Sequence, residues 1–175
     1  MKFTIVATAT LAFAISAFAA PTWSNCLAQS EAESIVNRYI SILTHSDIQA
    51  ANVTAQALLA DDYEEISDSI LSLEGQPLGG ITFQGKQNYI NGVLNAPPVA
   101  GVNTIEILVA GCNKILWYWN CTGIGTGKYE IKGFNLLALE SKNMIEKVFL
   151  EFNSIAWGLD TGYTVTPPAD ASATR

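Results

Sequence analysis

Four segments in the second half of the chain, residues 102–110, 114–121, 129–140 and 144–156, are rich in β-branched and aromatic residues. Each is divided from the next by a short run of glycine, asparagine or serine. Strands joined by so few residues turn straight back, which predicts a four-strand antiparallel meander. The first half has another rhythm. Ile35, Val36, Tyr39, Ile42 and Leu43 recur at spacings of three and four, the mark of one helix face. Ser30-Glu31-Ala32-Glu33 reads as a capping box at its start, and Ser46-Asp47 as its stop. A second, shorter helix is expected over residues 55–60, ending near Asp61 and Asp62. A third runs from Phe83-Gln84-Gly85-Lys86 to about Leu94, where Asn95-Ala96-Pro97-Pro98 ends it. Residues 63–73 alternate weakly and read as a short strand. Helices first and strands after give an α+β domain, with the helices on one face of a curved sheet.

The N-terminus bears on compartment. Met1-Lys2 is followed by an almost wholly apolar or small stretch to Phe18, and Ala17-Phe18-Ala19 fits a small-x-small cleavage site. Residues 1–19 therefore read as a signal peptide, and the chain as secreted and extracellular. No later stretch approaches the ~20 continuous apolar residues of a membrane span. Removing 19 of 175 residues leaves 156, enough for one domain with its own core. The chain has nine Lys and Arg against sixteen Asp and Glu, and Lys2 leaves with the leader, so the remainder carries −8. Such an acidic chain has no footprint for nucleic acid or for an anionic membrane. The proline- and Ser/Thr-rich tail, residues 164–175, is expected to be disordered, which leaves 20–163 as the domain.

Three cysteines in a secreted chain give one disulfide and one spare thiol. Cys112 and Cys121 flank a strand that would hold them ~30 Å apart, too far to bond. Cys26–Cys112 is the favoured pair, with Cys121 a buried thiol. Asn52-Val53-Thr54 and Asn120-Cys121-Thr122 are glycosylation sequons. A glycan on Asn120 orients its strand, because alternate side chains share a face. Leu116 and Tyr118 then lie outside with Asn120, and Trp117, Trp119 and Cys121 lie inside. On the next strand Glu130 and Lys132 face water, which turns Ile131, Gly133, Asn135, Leu137 and Leu139 inward. On the last strand Val148, Leu150 and Phe152 form one set and Phe149, Glu151 and Asn153 the other. Parity alone leaves open which set faces in.

The stretches LLADDYEEISDSI, FQGKQNYI, YEIKGFNLL and VFLEFNSIAWGLDTGY, in this order and setting, resemble the nuclear transport factor 2-like superfamily, SnoaL-like proteins included. The likeness spans about Cys26 to Tyr163 and is nearest to small secreted members from filamentous fungi. It implies a cone: three helices in the concave face of a bent antiparallel sheet, with a pocket at the open end. It also implies that Glu151 and Asn153 line that pocket. Members of the superfamily include polyketide cyclases, scytalone dehydratase and ketosteroid isomerase, and many others catalyse nothing, so the fold alone does not give a function.

A scytalone-dehydratase-like site needs two histidines, and this chain has only His45, placed to cap the first helix. No metal site or cofactor is expected from one histidine and no thiolate cluster. GxSxG, HExxH and phosphate-binding glycine loops are absent. Acid–base chemistry needs a carboxyl in a dry pocket, and Asp68 and Glu151 are the candidates. Tyr39, Tyr63, Trp117, Trp119, Asn135 and Asn153 are the expected pocket residues: apolar walls with a few orienting polar groups. The expected function is binding of a small hydrophobic or aromatic metabolite. The alternatives are a cofactor-free cyclase, isomerase or dehydratase, and a protein-interaction module using the outer sheet face. A glycan on Asn120 would obstruct pairing through that face, so a monomer or an unusual dimer is expected.

Overall fold

The computed structural model describes residues 26–140 and 144–166. The proposed signal peptide and most of the proposed tail lie outside them. Among the described residues the elements run α1 (Gln29–Leu43), α2 (Ile48–Leu58), β1 (Leu59–Ile66), α3 (Asp68–Glu74), β2 (Phe83–Gln84), α4 (Lys86–Asn95), β3 (Val102–Ala110), β4 (Lys114–Cys121), β5 (Ile131–Leu139), β6 (Ile145–Phe152) and α5 (Ser154–Asp160). The fold is α+β, as the order of patterns requires. One six-stranded sheet has the order β2-β1-β6-β5-β4-β3. The meander β3-β4-β5-β6 is antiparallel throughout. Register shifts in the β1–β6, β3–β4 and β5–β6 pairings bend the sheet.

Several expectations need correcting. The sheet is mixed, because β1 runs parallel to β6. The chain reaches β1 from the helices and leaves through α3, α4 and the whole meander, so β6 returns in the direction of β1. Residues 63–73 are not one strand: β1 ends at Ile66, Ser67 takes the amide of Ile70, and α3 begins. Gly75, at φ 65°, ends α3 in the left-handed conformation that glycine tolerates best. The second helix is α2, longer than expected and starting at Asp47, whose carboxylate accepts from Ala50 N. Asp61 and Asp62 lie on β1 rather than at a helix end. The last strand stops at Phe152, where Asn153 caps α5 through Ala156 N. The cap of α1 also shifts: Glu31 reaches back to Ala28 N at 2.8 Å, so the helix starts before Ser30.

The core lies between the concave sheet face and the helices. Ile35, Val36, Tyr39 and Ile42 of α1, Leu58, Tyr89 and Ile90 meet Ile115, Trp117, Ile131, Leu137, Ile145 and Val148 of the sheet. The β4 pattern alternates strictly, with Ile115, Trp117, Trp119 and Cys121 buried. Cys26 and Cys112 are bonded, and Leu27 N donates to Cys112 O beside the bridge, which fastens the start of α1 to the β3–β4 turn. Cys121 is free and buried; burial, with the charge of Asp160, pushes its thiol up to about 11. Asp160 fastens the β4–β5 loop. Burial raises its pKa, but bonds from the Thr126 hydroxyl and the Tyr129 and Lys128 amides outweigh this and hold it below the ordinary value.

Candidate functional site

Glu64 and Glu65 are neighbours on β1, so the strand sends them to opposite faces. Glu64 points to the outer face, paired with Lys147 of β6 at 2.7 Å and with Gln84 at 3.1 Å. Glu65 points into the concave face and is only 2% exposed. One carboxylate oxygen, Oε2, accepts from Tyr63 Oη at 3.1 Å and from Tyr39 Oη at 3.2 Å. Tyr89 Oη of α4 donates to Tyr39 Oη at 2.9 Å, and the Tyr63 and Tyr89 rings pack at 4.7 Å. The other oxygen, Oε1, has no hydrogen-bond partner among the described residues.

Burial sets the protonation of this cluster. It raises Glu65 from 4.5 to about 7, and the two tyrosine hydroxyls, which favour the charged form, only partly offset it. The same burial holds Tyr39, Tyr63 and Tyr89 well above the ordinary tyrosine range, and the negative charge of Glu65 adds to it. The hydroxyls therefore stay protonated as donors, while Glu65 gains or loses a proton near neutral pH.

The sheet builds the opposite wall. Trp117 and Trp119 of β4 have ring centroids 5.9 Å apart. Trp117 Nε1 donates to Thr104 Oγ1 at 3.1 Å, and Trp119 Nε1 donates to Asn135 Oδ1 at 2.6 Å. Gly133, facing Trp119 across the β4–β5 pair, leaves room for that indole: a Cβ there would meet Trp119 Cζ2 at 2.5 Å. Between the walls lies a cavity of about 600 Å³, lined by Tyr39, Glu65, Tyr89, Trp117, Trp119, Asn135, Leu150, Phe152 and Trp157 among others. Ala96, Pro97, Pro98 and Val99, which follow α4, line it together with Gly123, Ile124 and Gly125, which follow β4. The volume and the mostly apolar lining suit a small organic molecule.

Of the residues singled out in the sequence, Tyr39, Trp117, Trp119 and Asn135 line this cavity. Tyr63 is fully buried behind it and touches it through Glu65 and through the lining residues Tyr39 and Tyr89. Asp68 and Glu151 are not on the cavity wall. Glu151 is exposed and its carboxylate takes Asp68 N at 2.9 Å, Ser69 N at 3.1 Å and the Ser69 hydroxyl, which satisfies the start of α3. Asp68 Oδ1 takes Gly79 N at 2.7 Å. Asn153 is exposed and caps α5. The inward set on β6 is Val148, Leu150 and Phe152, which corrects the placement of Glu151 and Asn153 that the resemblance implied. His45 is buried, with Nδ1 3.0 Å from Ile42 O at the end of α1. Asn52 sits half-buried within α2. Asn120 sits half-buried on β4, its Nδ2 donating to Glu130.

Sequence reasoning missed Glu65 and Tyr89. The available signal was the Glu64-Glu65 pair: on any strand one of two adjacent glutamates turns inward. No group of His, Cys, Asp and Glu among the described residues could hold a metal ion. No described helix is long and apolar enough to cross a membrane.

Residues 25–164 match a family model described as NTF2-like domain, and the chain belongs to that family. No curated protein sequence matches the chain significantly. A putative isomerase of the SnoaL-like family from Agrobacterium tumefaciens superposes with a TM-score of 0.53 at 12% identity, covering 71% of this chain and 98% of that one. A SnoaL-like protein of unknown function from Burkholderia thailandensis gives 0.53 at 18% identity, covering 73% and 98%. A steroid delta-isomerase from Pseudomonas aeruginosa gives 0.52 at 14% identity, covering 75% and 88%. At these identities the likeness is one of fold.

Proposed function

We propose that this NTF2-like protein binds a small, largely apolar molecule in its cavity and that Glu65 exchanges a proton with it, as in a cofactor-free isomerase. The observation that carries this reading is Glu65 itself: a buried carboxyl with one oxygen held by tyrosines and the other unpaired, in an apolar cavity. A general base or acid works best when its pKa is near the working pH, and about 7 meets that condition. In the reaction class proposed, the Glu65 carboxylate takes a proton from a C–H beside an activating group. The electron pair moves into the adjacent π system, and the neutral acid returns the proton to another carbon. Tyr39 and Tyr63 orient the carboxyl and stay protonated throughout. This replaces Asp68 and Glu151, whose carboxylates are taken up at α3. Two structural neighbours are named as isomerases, one of them a putative one, which is compatible with the reading.

We also propose that the protein lies outside the cytosol. The apolar leader and the Cys26–Cys112 bond support this, since such bonds persist in oxidising compartments. Native mass spectrometry of protein purified from its own source tests occupancy, and a bound mass released on unfolding is the expected result. With the released molecule in heavy water, the protein should exchange a carbon-bound proton, and Glu65→Gln should abolish the exchange. A cavity that holds nothing and takes up no apolar probe would sink the reading. Exchange that survives in Glu65→Gln would remove Glu65 from it.

A further inference from the structure

Asn135 is 2% exposed and lines the cavity near the middle of β5. Its amide offers one acceptor and two N–H donors. The indole N–H of Trp119 can only donate, so the atom it meets at 2.6 Å must be the amide oxygen. That contact leaves both Nδ2 hydrogens without a partner among the described residues. In register, Asn135 stands between Trp117 of β4 and Leu150 of β6, and the Trp117 N–H is itself committed to Thr104. Among the described residues Asn120 Oδ1 alone is both sealed and unpartnered, so Asn135 Nδ2 stays open to the cavity, where a bound molecule can accept from it.

We infer that Asn135 Nδ2 is the hydrogen-bond donor for a carbonyl oxygen of the bound molecule, which makes the ligand a flat, largely apolar ketone or aldehyde. This rests on the proposed use of the cavity and names the chemical class it takes. A carbonyl offers lone pairs and no proton, which matches a donor-only amide nitrogen, and its apolar remainder matches the indole and aliphatic walls. The sheet also fixes the span. Glu65 pairs with Val148 and Val148 with Leu137, one position along the same face from Asn135. Two strand spacings across and two residues along put the Cα atoms of Glu65 and Asn135 roughly 12 Å apart. Their inward side chains leave room between them for about one or two fused rings. The carbonyl rests on Asn135, and a C–H further along the ring system meets the free oxygen of Glu65.

Acetylnaphthalene and its isopropenyl counterpart, in which a methylene replaces the carbonyl oxygen, differ in little but the acceptor. The wild-type protein should bind the ketone about tenfold more tightly than the alkene by calorimetry. The ketone alone should shift the Asn135 side-chain amide resonances. In Asn135→Leu the preference should fall to near one while the alkene still binds. Equal binding of both probes to the wild type, or a preference that survives in Asn135→Leu, overturns the donor role and leaves the cavity reading standing. If neither probe binds, the inference falls together with the reading it rests on. Should Asn135→Leu not fold, the wild-type ratio and the amide shift decide the matter alone.

Discussion

Replacing Glu65 by Gln should stabilise the folded protein at alkaline pH and leave it almost unchanged at acid pH. The Glu65 pKa rises from 4.5 to about 7 on folding because burial disfavours the charged form. A carboxyl whose folded pKa is raised binds its proton more tightly in the native state, so stability falls as pH climbs between the two values. Below about pH 4.5 the group is neutral in both states and its contribution is fully present. Above about 7 the native state carries a buried charge. The shift of roughly 2.5 pH units corresponds to about 3 kcal/mol lost across that window. Glutamine keeps an oxygen for the Tyr39 and Tyr63 hydroxyls but cannot ionise. At pH 4.5 the variant should lie within about 1 kcal/mol of the wild type. At pH 8.5 it should be the more stable by about 3 kcal/mol, a Tm difference of about 6–12 °C for a domain of this size. Thermal and urea unfolding of both proteins at the two pH values measures this, and comparing the proteins cancels every other titrating group. A wild-type–variant difference that is the same at both pH values would refute the claim that Glu65 sits desolvated with its pKa near neutral.

Three further outcomes follow from other parts of the structure. The double substitution Cys26→Ser with Cys112→Ser opens a link between residues 86 apart and should cost about 4–5 kcal/mol in urea unfolding; a loss below about 1 kcal/mol would show that the unfolded chain gains little freedom. Glu151→Ala frees the Asp68 and Ser69 amides at the start of α3 and should cost about 1–3 kcal/mol, with binding of an apolar probe in the cavity retained; loss of binding with stability intact would return Glu151 to the site. Gly133→Ala drives a methyl against Trp119 Cζ2 at 2.5 Å and Phe152 Cβ at 2.7 Å, so it should destabilise by about 1–3 kcal/mol and change the tryptophan fluorescence; a neutral result would mean that the indole has room to move.

Elements whose signals are local could be read directly from the amino-acid order. The 3.6-residue spacing of α1, the turns between β3, β4, β5 and β6, and the polar positions Asn120, Glu130 and Lys132 that orient β4 and β5 all lie within a few residues of one another. They were enough for an α+β domain with Trp117, Trp119 and Asn135 on one inward face. The cysteine pairing was legible in part: a strand between Cys112 and Cys121 excludes a bond between those two, and the turn residues around Cys112 favoured it over Cys121 as the partner of Cys26. Short elements were less so: α3 and α5 have seven residues each, too few to show a period, and their caps, Ser67 and Asn153, read equally well as strand residues.

Which carboxyl sits in the cavity is a different kind of fact. Glu65, Asp68 and Glu151 are all plausible on paper, and what separates them is where each finds its partners. Glu151 is drawn to the start of α3, 83 residues earlier in the chain, by amides that would otherwise be unsatisfied. Glu65 is turned inward by the register of β1 on β6 and met there by tyrosines from α1 and from β1 itself. Strand parity says that one of two adjacent glutamates must face inward. Only the packing of β1 between β2 and β6 decides that it is Glu65, because Lys147 and Gln84 hold Glu64 on the outer face. Desolvation, the effect that moves its pKa to neutrality, exists only once those distant segments close over it.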